Sequence, residues 1–525
     1  MTTSRAIWIF IIVITALRFA MIGTIELSGD EAYYWMWSQH LAPAYFSKGP
    51  AVAFTIHAGT ALFGLTEFGV RFWSPLLAAG TSFILFYFAR RLFNETVAFW
   101  TVIALNVTPI FNVGSFVMTI DPLSIFFWAA AMLTFWLALE KSPRFSWYWP
   151  LTGLLVGLGF LSKYTDALEL VSIVLVLALV PRLRGEFKRA GFYSALGMFL
   201  LCIIPVIIWN AQHAWITLDH LRARGGLEGN SGFHPTAVVV FLAQHFLAYS
   251  PILFLALVWA VVAAWPRVQT QFKSLYLFWF GLPVFALYFL LSFKRPAAPN
   301  WDCLAFLSLA PLAMMYWNER MQTKRYLKNA MLVGIFLGLL MSMLALNTDI
   351  LRSANFHFPR RDPSNRLRGW SSATSTLEKL RTDLETKNGQ RLFLIADERD
   401  RAAEIAFYLR DKRTEGPGHP PVYIIESQDL ENQFSFWPRY DEFVEQPSLP
   451  AVSPNEVYTE EKGVNLFVDR SALYIQEGPR QRAPHNIRAG FQSVERIATI
   501  ESRRFGANVR TWQVFLCHNY RTLPL

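Results

Sequence analysis

A succession of apolar stretches, each close to the length of a bilayer crossing, most constrains what this chain can fold into. They cover approximately 6–26, 70–89, 96–113, 122–139, 147–162, 166–181, 191–209, 236–265, 275–292, 303–317 and 329–346. A transmembrane helix needs roughly 20 predominantly apolar residues, so the pattern predicts a polytopic α-helical membrane protein with about 11 spans. Composition agrees: 53% of the 525 residues are hydrophobic and only 16% charged, against roughly 25% charged in a soluble domain. The run from Ala6 is long and has no small-x-small cleavage site, so it reads as a retained helix rather than a signal peptide. Ala51 to Gly64 is apolar but short and carries His57, which favours an interfacial segment.

The net charge of +10 does not point to nucleic acid, because the cations lie in short loops between apolar spans. Arg90 and Arg91, Lys141 and Arg144, "PRLRGEFKR", Arg267 and Lys273, and "ERMQTKR" all fall on the side of the N-terminus if 51–64 does not cross. Positively charged loops stay in the cytoplasm. The opposite loops then face the exterior. Of the three cysteines, Cys202 and Cys303 lie in or beside apolar spans, so no disulfide framework is implied.

After residue 346 the chain turns polar. The expected organisation is a transmembrane domain over 1–346 and an exterior soluble α/β domain over 347–525. Strands are expected at "RLFLIA" (391–396), "PVYIIE" (421–426), "NLFVD" (465–469) and "TWQVFLCH" (511–518), and an amphipathic helix at "RDRAAEIAFYLR" (399–410). This domain carries no nucleotide or zinc motif.

Acids and cations gather together on the exterior loops: Asp30, Glu31 and Lys48 on the first, Asp121 on the second, Lys163, Tyr164 and Asp166 on the third, "WNAQHAWITLDHLRARGGLEGNSGFHP" on the fourth and "FKRPAAPNW" on the fifth. A carboxylate at a membrane boundary can accept a proton from an attacking hydroxyl. Cations beside it can hold a phosphate and stabilise the charge that builds as its bond to a sugar breaks. The run of Tyr33, Tyr34, Trp35 and Trp37 suits the interface, where one edge of a ring meets lipid and the other water. His213, His220, His234 and His245 match no metal spacing and default to hydrogen-bonded structural roles. Arg18, inside the first span, is either functional or snorkelling.

"DEAYYWMWSQHL", "YFSKGP", "LFGLTEFGVR", "MTIDP", "FLSKYT" and "VIIWNAQHAW" resemble the GT-C-fold glycosyltransferases of the family shared by protein O-mannosyltransferases and lipid A aminoarabinose transferases. The likeness runs from residue 1 to about 320 and, more weakly, through "IADERDRAAEIAFYL" and "FSFWP". It implies transfer of a sugar from a polyprenyl phosphate donor to a lipid or glycan acceptor at the periplasmic face of a bacterial inner membrane, with lipid A or lipopolysaccharide core preferred and protein hydroxyls second. By this resemblance Asp30 matches the catalytic acid, Glu31 its neighbour and Asp121 a second acid. Lys48 matches the lysine of an "EKPP" run facing the donor phosphate, and Lys163 that of a "TKG" run. Ser47 stands where those enzymes have Glu, which leaves open whether a divalent metal takes part. Tyr33 stands where "DEAR" has Arg, so another cation must serve the phosphate, with Arg71, Arg222 and Arg224 the candidates. Tyr33, Tyr34, Tyr164, Asn210 and His213 are the candidate substrate contacts.

Two other classes compete. A secondary transporter would carry its ionisable residues near mid-membrane and show paired repeats, neither of which is seen. A non-catalytic glycan-binding membrane protein would transfer no sugar from any polyprenyl phosphate. The cation asymmetry predicts a cytoplasmic N-terminus and an exterior C-terminal domain: alkaline phosphatase fused after Leu525 is expected to be active, and activity there of a cytosol-dependent reporter alone would mean the span count is wrong by an odd number.

Overall fold

The computed structural model describes residues 3–224, 232–349, 351, 362–427, 429–442 and 465–522. They form two compact units, Met1–Thr24 with Leu41–Thr348, and Ile25–His40 with Asp349–Leu525. The sequence alone had placed 25–40 in a loop after the first span; in the fold this segment groups with the C-terminal part of the chain.

In the first unit the apolar stretches fold as helices: α1 (Thr3–Met21), α3 (Ala51–Phe63), α4 (Glu67–Arg71), α5 (Trp73–Leu92), α6 (Glu95–Val107), α7 (Pro109–Gly114), α8 (Ile120–Lys141), α9 (Tyr148–Ser162), α10 (Leu168–Leu179), α11 (Ala190–Gln212), α12 (Ile216–Arg224), α13 (Pro235–Ala248), α14 (Pro251–Ala263), α15 (Trp265–Thr270), α16 (Phe272–Leu291), α17 (Leu304–Thr323) and α18 (Arg325–Leu346). The second helix of the chain, α2 (Gly29–Gln39), belongs to the other unit. By length and composition five of the described helices can cross a membrane, or six if α13 and α14, bent by 112° at their junction, count as one. Of the expected spans outside this set, α6, α9 and α10 are short helices, whereas α1 and α17, with 19 and 20 residues, are not. At 1.5 Å per residue the 13 residues of α6 and the 15 of α9 rise only about 20 and 23 Å, against a hydrocarbon core of about 30 Å. The 13-residue α3 is short in the same way.

Helix α8 is the most enclosed of the five, with 72% of its apolar window buried. Its Trp128 and Phe135 pack with Tyr276, Phe280 and Leu304 in the main core, and the Tyr276 hydroxyl donates to the Met132 carbonyl at 2.5 Å. Burial of a polar group in such surroundings requires a partner. Arg18 follows that rule in part: it is buried and donates through Nη2 to Asn112 Oδ1 at 3.2 Å, while its Nε and Nη1 find no hydrogen-bond partner among the described residues.

The second unit is α/β. Its sheet has five strands in the order β2-β1-β3-β5-β4: β1 (Phe393–Ala396), β2 (Tyr423–Ile424), β3 (Ala472–Glu477), β4 (Phe491–Arg504) and β5 (Ala507–Tyr520). β1 runs parallel to β2 and β3, whereas β3, β5 and β4 are antiparallel, with Ala472 opposite Cys517 and Phe491 opposite Tyr520. Helices α19 (Trp370–Asn388) and α20 (Arg399–Tyr408) accompany the sheet. Phe393, Ile395, Tyr423, Tyr440, Phe467, Tyr474 and Phe515 form its core.

The strand expected at 465–469 is instead a turn. Asn465 explains it: its Oδ1 accepts from the Phe467 N–H at 2.7 Å, its amide donates to the Tyr440 carbonyl at 3.0 Å, and Asp469 has φ 64°. A side chain that satisfies the backbone two residues on builds an Asx turn, which displaces the ladder. Asn465→Ala leaves the Phe467 N–H and the Tyr440 carbonyl without these buried partners, and a loss of about 1–3 kcal/mol for each unsatisfied group is expected in denaturant unfolding of the purified chain; an unchanged midpoint would refute that role for the turn.

Candidate functional site

Both candidate acids lie in the first turn of a helix, each preceded by a capping hydroxyl. In the second unit Ser28 is the N-cap of α2 and Asp30 and Glu31 occupy its first turn. Glu31 is fully buried, and its Oε2 accepts from the Ser28 N–H at 3.0 Å and the Ser28 hydroxyl at 3.1 Å. This is the return half of a capping box. Glu31 therefore orients the helix start, and Asp30 is the exposed carboxylate, placed where the helix dipole favours negative charge. Gly29 is required here, because a Cβ on it would lie 2.8 Å from that of Asp400.

The aromatics after Asp30 face inward rather than toward a membrane or a sugar. Tyr33, Tyr34, Trp35 and Trp37 are all buried. Trp35 meets Phe407 of α20 edge-on at 5.1 Å. The Tyr33 oxygen accepts from the Gln433 N–H at 2.7 Å, and its ring stacks on Phe434 beneath the guanidinium of Arg399, 4.7 Å from the ring centre. Burial pushes the Tyr33 phenol up to about 12, which keeps it neutral. The expectation of an interfacial belt gives way to packing for Tyr33 and Trp35, which helical spacing turns onto the 433–434 segment and α20.

In the first unit the structure joins three elements at one point. Asp121 lies in the first turn of α8 behind the N-cap Thr119, whose hydroxyl accepts from the Asp121 N–H at 3.3 Å. Lys163 is the C-cap of α9, the helix end that favours a cation. Its ammonium donates to Asp121 Oδ1 at 2.9 Å and to the Asn300 carbonyl at 2.6 Å. The Asn300 amide donates to Asp121 Oδ2 at 2.9 Å. Lys163 thus neutralises and fixes Asp121. Asn300 was not singled out in the sequence, although "FKRPAAPNW" was recognised as an exterior loop; an isolated Asn among prolines reads as a turn former, and nothing local signals its distant partners.

Lys48 lies in a turn closed by the Tyr45 N–H to the Lys48 carbonyl at 3.1 Å. This turn is pressed against the end of α9: a Cβ on Gly49 would lie 2.0 Å from the Leu161 carbonyl oxygen. Ala44, Val206 and Trp209 form a small apolar cluster with Phe160, Leu161, Tyr164 and Ile216 around them. It ties the Lys48 turn, the segment after α9 and the end of α11 together. Tyr164 is one of its packing members, its ring 4.9 Å from Phe160. Asn210 is buried and donates to the Val206 carbonyl at 3.0 Å, while the His213 ring stacks on Trp209 and its Nδ1 bonds the Trp209 carbonyl at 2.7 Å.

The arginines take separate positions. Arg71 is buried and donates to the Ile22 carbonyl at 2.9 Å just past the end of α1. Arg222 is exposed beside Asp219 at 3.2 Å. Arg224 lies over the Trp301 ring at 5.0 Å, next to Asn300 in the chain. Among the described residues no three His, Cys, Asp or Glu side chains assemble into a group that could hold a metal, and Ser47 brings no carboxylate to the Lys48 turn, so the residues do not fit a metal centre here.

Several known proteins resemble this chain. A family profile described as Dolichyl-phosphate-mannose-protein mannosyltransferase matches residues 47–209, the stretch that carries Lys48, Asp121 and Lys163. A Rhizobium johnstonii protein named lipid A galacturonosyltransferase RgtD is 26% identical over 400 residues, covering 76% of this chain and 81% of that one. An Erwinia tasmaniensis protein named undecaprenyl phosphate-alpha-4-amino-4-deoxy-L-arabinose arabinosyl transferase is 28% identical over 306 residues, 54% of this chain and 51% of that protein; the match thus spans about half the length of that relative. The crystal structure of ArnT from Cupriavidus metallidurans bound to undecaprenyl phosphate shares the fold, with a TM-score of 0.61 over 98% of both chains at 15% identity.

The Gly49 contact generates a direct test. Because the added methyl would meet backbone rather than a movable side chain, Gly49→Ala is expected to cost at least the roughly 1–3 kcal/mol of an overpacked site or to displace the Lys48 turn. A thermal melt together with protease protection at the 45–50 turn would reveal either effect, and a variant indistinguishable from wild type in both would discount the close approach.

Proposed function

We propose that this chain, which resembles the GT-C-fold glycosyltransferases in sequence and fold, moves a sugar from an undecaprenyl-type polyprenyl phosphate to lipid A or lipopolysaccharide core at the periplasmic face of a bacterial inner membrane. The observation that carries this reading is the relative named for lipid A galacturonosyl transfer, matched over most of both chains. The arabinosyl transferase supports the same donor lipid. Those two relatives differ in sugar, and a hexuronic acid or an amino pentose is accordingly the class to test first.

In this reading an acceptor oxygen forms a bond to the anomeric carbon while the bond from that carbon to the phosphate oxygen breaks. The polyprenyl phosphate leaves with the electron pair. Asp30, exposed in the first turn of α2, takes the proton of a hydroxyl acceptor. Lys48 stabilises the charge gathering on the leaving phosphate, with Arg224 and Arg222 as further cations for phosphate. Lys163 has a supporting role, since its ammonium is committed to Asp121 and Asn300. A second reading, transfer to protein hydroxyls, is favoured by the description of the matching family profile.

Mass spectrometry of envelope lipids and glycoproteins with and without the protein separates the two acceptors. Loss of a sugar from lipid A is expected; loss from protein alone would move the function to the second reading. With a hydroxyl acceptor, Asp30→Asn is expected to lower turnover by about 10²- to 10⁴-fold, and near-normal turnover would remove Asp30 from the mechanism. A phosphate acceptor is already anionic and would need no base. Lys48→Ala is expected to lose about 10²- to 10³-fold in rate by analogy with other electrostatic stabilisers, while Lys48→Arg keeps part of it because charge survives and shape does not. Full activity of the Ala protein at matched expression and stability would leave Lys48 as a snorkelling residue.

A further inference from the structure

Asn300 sits in a turn over 299–303 between α16 and α17, and two buried side chains outside the site lock that turn. Asp302 is almost wholly buried, as is His245 of α13. His245 Nε2 lies 2.8 and 3.0 Å from the two Asp302 carboxylate oxygens, and Nδ1 lies 2.7 Å from the Phe241 carbonyl. The carbonyl can only accept, so Nδ1 carries a proton, and a second proton is shared between Nε2 and the carboxylate. The pair is therefore neutral overall and has a fixed direction. Helix α17 adds to this at its N-terminus, where the Ala305 N–H donates to the Asp302 carbonyl at 3.0 Å.

We propose that His245 is a positioning residue for the transfer reaction: through Asp302 it holds the 299–303 turn so that the Asn300 carbonyl and amide meet Lys163 and Asp121. This rests on the reading that Asp121 and Lys163 belong to the reacting site. Asn300 reaches both partners in hydrogen bonds of 2.6 and 2.9 Å. Such bonds have little slack, so a shift of the turn by an ångström breaks both. The Cys303 thiol, 3.4 Å from the Asn300 carbonyl, and the Trp301 ring, 5.7 Å from Tyr288, fill the turn's other sides but supply no strong directional bond. His245 is the one side chain from another helix that grips Asp302 by hydrogen bonds among the described residues. The cavity of about 500 Å³ beside the pair is lined mainly by apolar residues of α13, α14, α16 and α17, such as Leu242, Val258, Phe278 and Leu309, and also by Tyr249.

The test is a double-mutant cycle on the full chain, with undecaprenyl phosphate galacturonose or 4-amino-4-deoxy-L-arabinose as donor and purified lipid A as acceptor. His245→Ala and Asn300→Ala are each expected to lower kcat by about 10- to 10²-fold, the scale of a misplacement of about 1 Å, with KM for the donor changed by no more than about threefold. The double variant should be no slower than the slower single, because both act through one contact. His245→Gln, whose amide can donate from the Nε2 position, should recover part of the loss, which a merely destabilised protein would not do. Hydrogen exchange supplies a readout without turnover: Asp302→Asn and His245→Ala should speed amide exchange at 299–303 and around Lys163. Unchanged exchange there, unchanged kcat in His245→Ala, or losses that multiply in the double variant would each overturn the proposal. If Asp121→Asn and Asn300→Ala themselves turn over at the wild-type rate, it is the assignment of the site that fails, and the proposal with it.

Discussion

An ammonium buried among membrane helices must find both a counter-charge and acceptors for its protons, and the contact of Lys163 with Asp121 and Asn300 meets that demand in the first unit. Leaving either partner of a buried ion pair alone costs about 3–5 kcal/mol. Each partner comes from a different element: the end of α9, the start of α8 and the turn before α17. The pair therefore fixes the relative placement of three segments that the sequence separates by up to 179 residues. The apolar cluster of Ala44, Val206 and Trp209 extends that fixation to the Lys48 turn, so Lys48, Lys163 and Asp121 share a single scaffold.

Helix ends do much of the electrostatic placement. Asp30 and Asp121 occupy first turns and Lys163 a last one, each where the partial charge of the terminal peptide groups favours its sign. A polytopic chain brings many helix ends to the same surface, and ionised groups are cheapest there. This accounts for chemistry-bearing residues in short loops rather than along the spans. It also explains why Glu31, one residue beyond Asp30, is held by Ser28: the third position of the helix is the one that reaches back to the capping residue.

The helical membrane unit was legible in the sequence because long apolar runs have few alternatives; α8, α11, α16 and α18 lie within a few residues of the expected stretches. The number of crossings was less legible, since apolarity does not say whether a 13-residue helix such as α6 is a whole crossing. In the second unit β1 and β5 were visible as apolar runs, whereas β4 was not: it is a polar edge strand with Glu495, Glu501 and Arg503 on its exposed positions, a composition that discourages edge pairing. β3 went unrecognised and the neighbouring "NLFVD" was taken in its place, because an Asx turn and a strand can share the same apolar residues. Motif resemblance pointed to Asp30, Lys48, Asp121 and Lys163, but pairing belongs to three dimensions, and so Asn300 and Asp302 carried no signal and His245 was read only as a hydrogen-bonded histidine of unknown partner. The aromatic run 33–37 misled for a related reason, as a ring suited to an interface is equally suited to a core.

The hydrogen bond from Gln433 to Tyr33 joins residues 400 apart in the chain. At ribosomal speeds of about 5–20 residues per second the partner emerges some 20–80 s after Tyr33 does. Throughout that interval Tyr33 lacks the Gln433 N–H and the Phe434 ring, and Trp35 lacks Phe407 until late in it. Biosynthesis therefore passes through an interval in which an aromatic helix exists before the segment that later encloses Tyr33. Insertion of the helices and maturation of the acid-bearing segment become separate events, and the chain acquires Asp30 in its final setting only when translation is nearly complete.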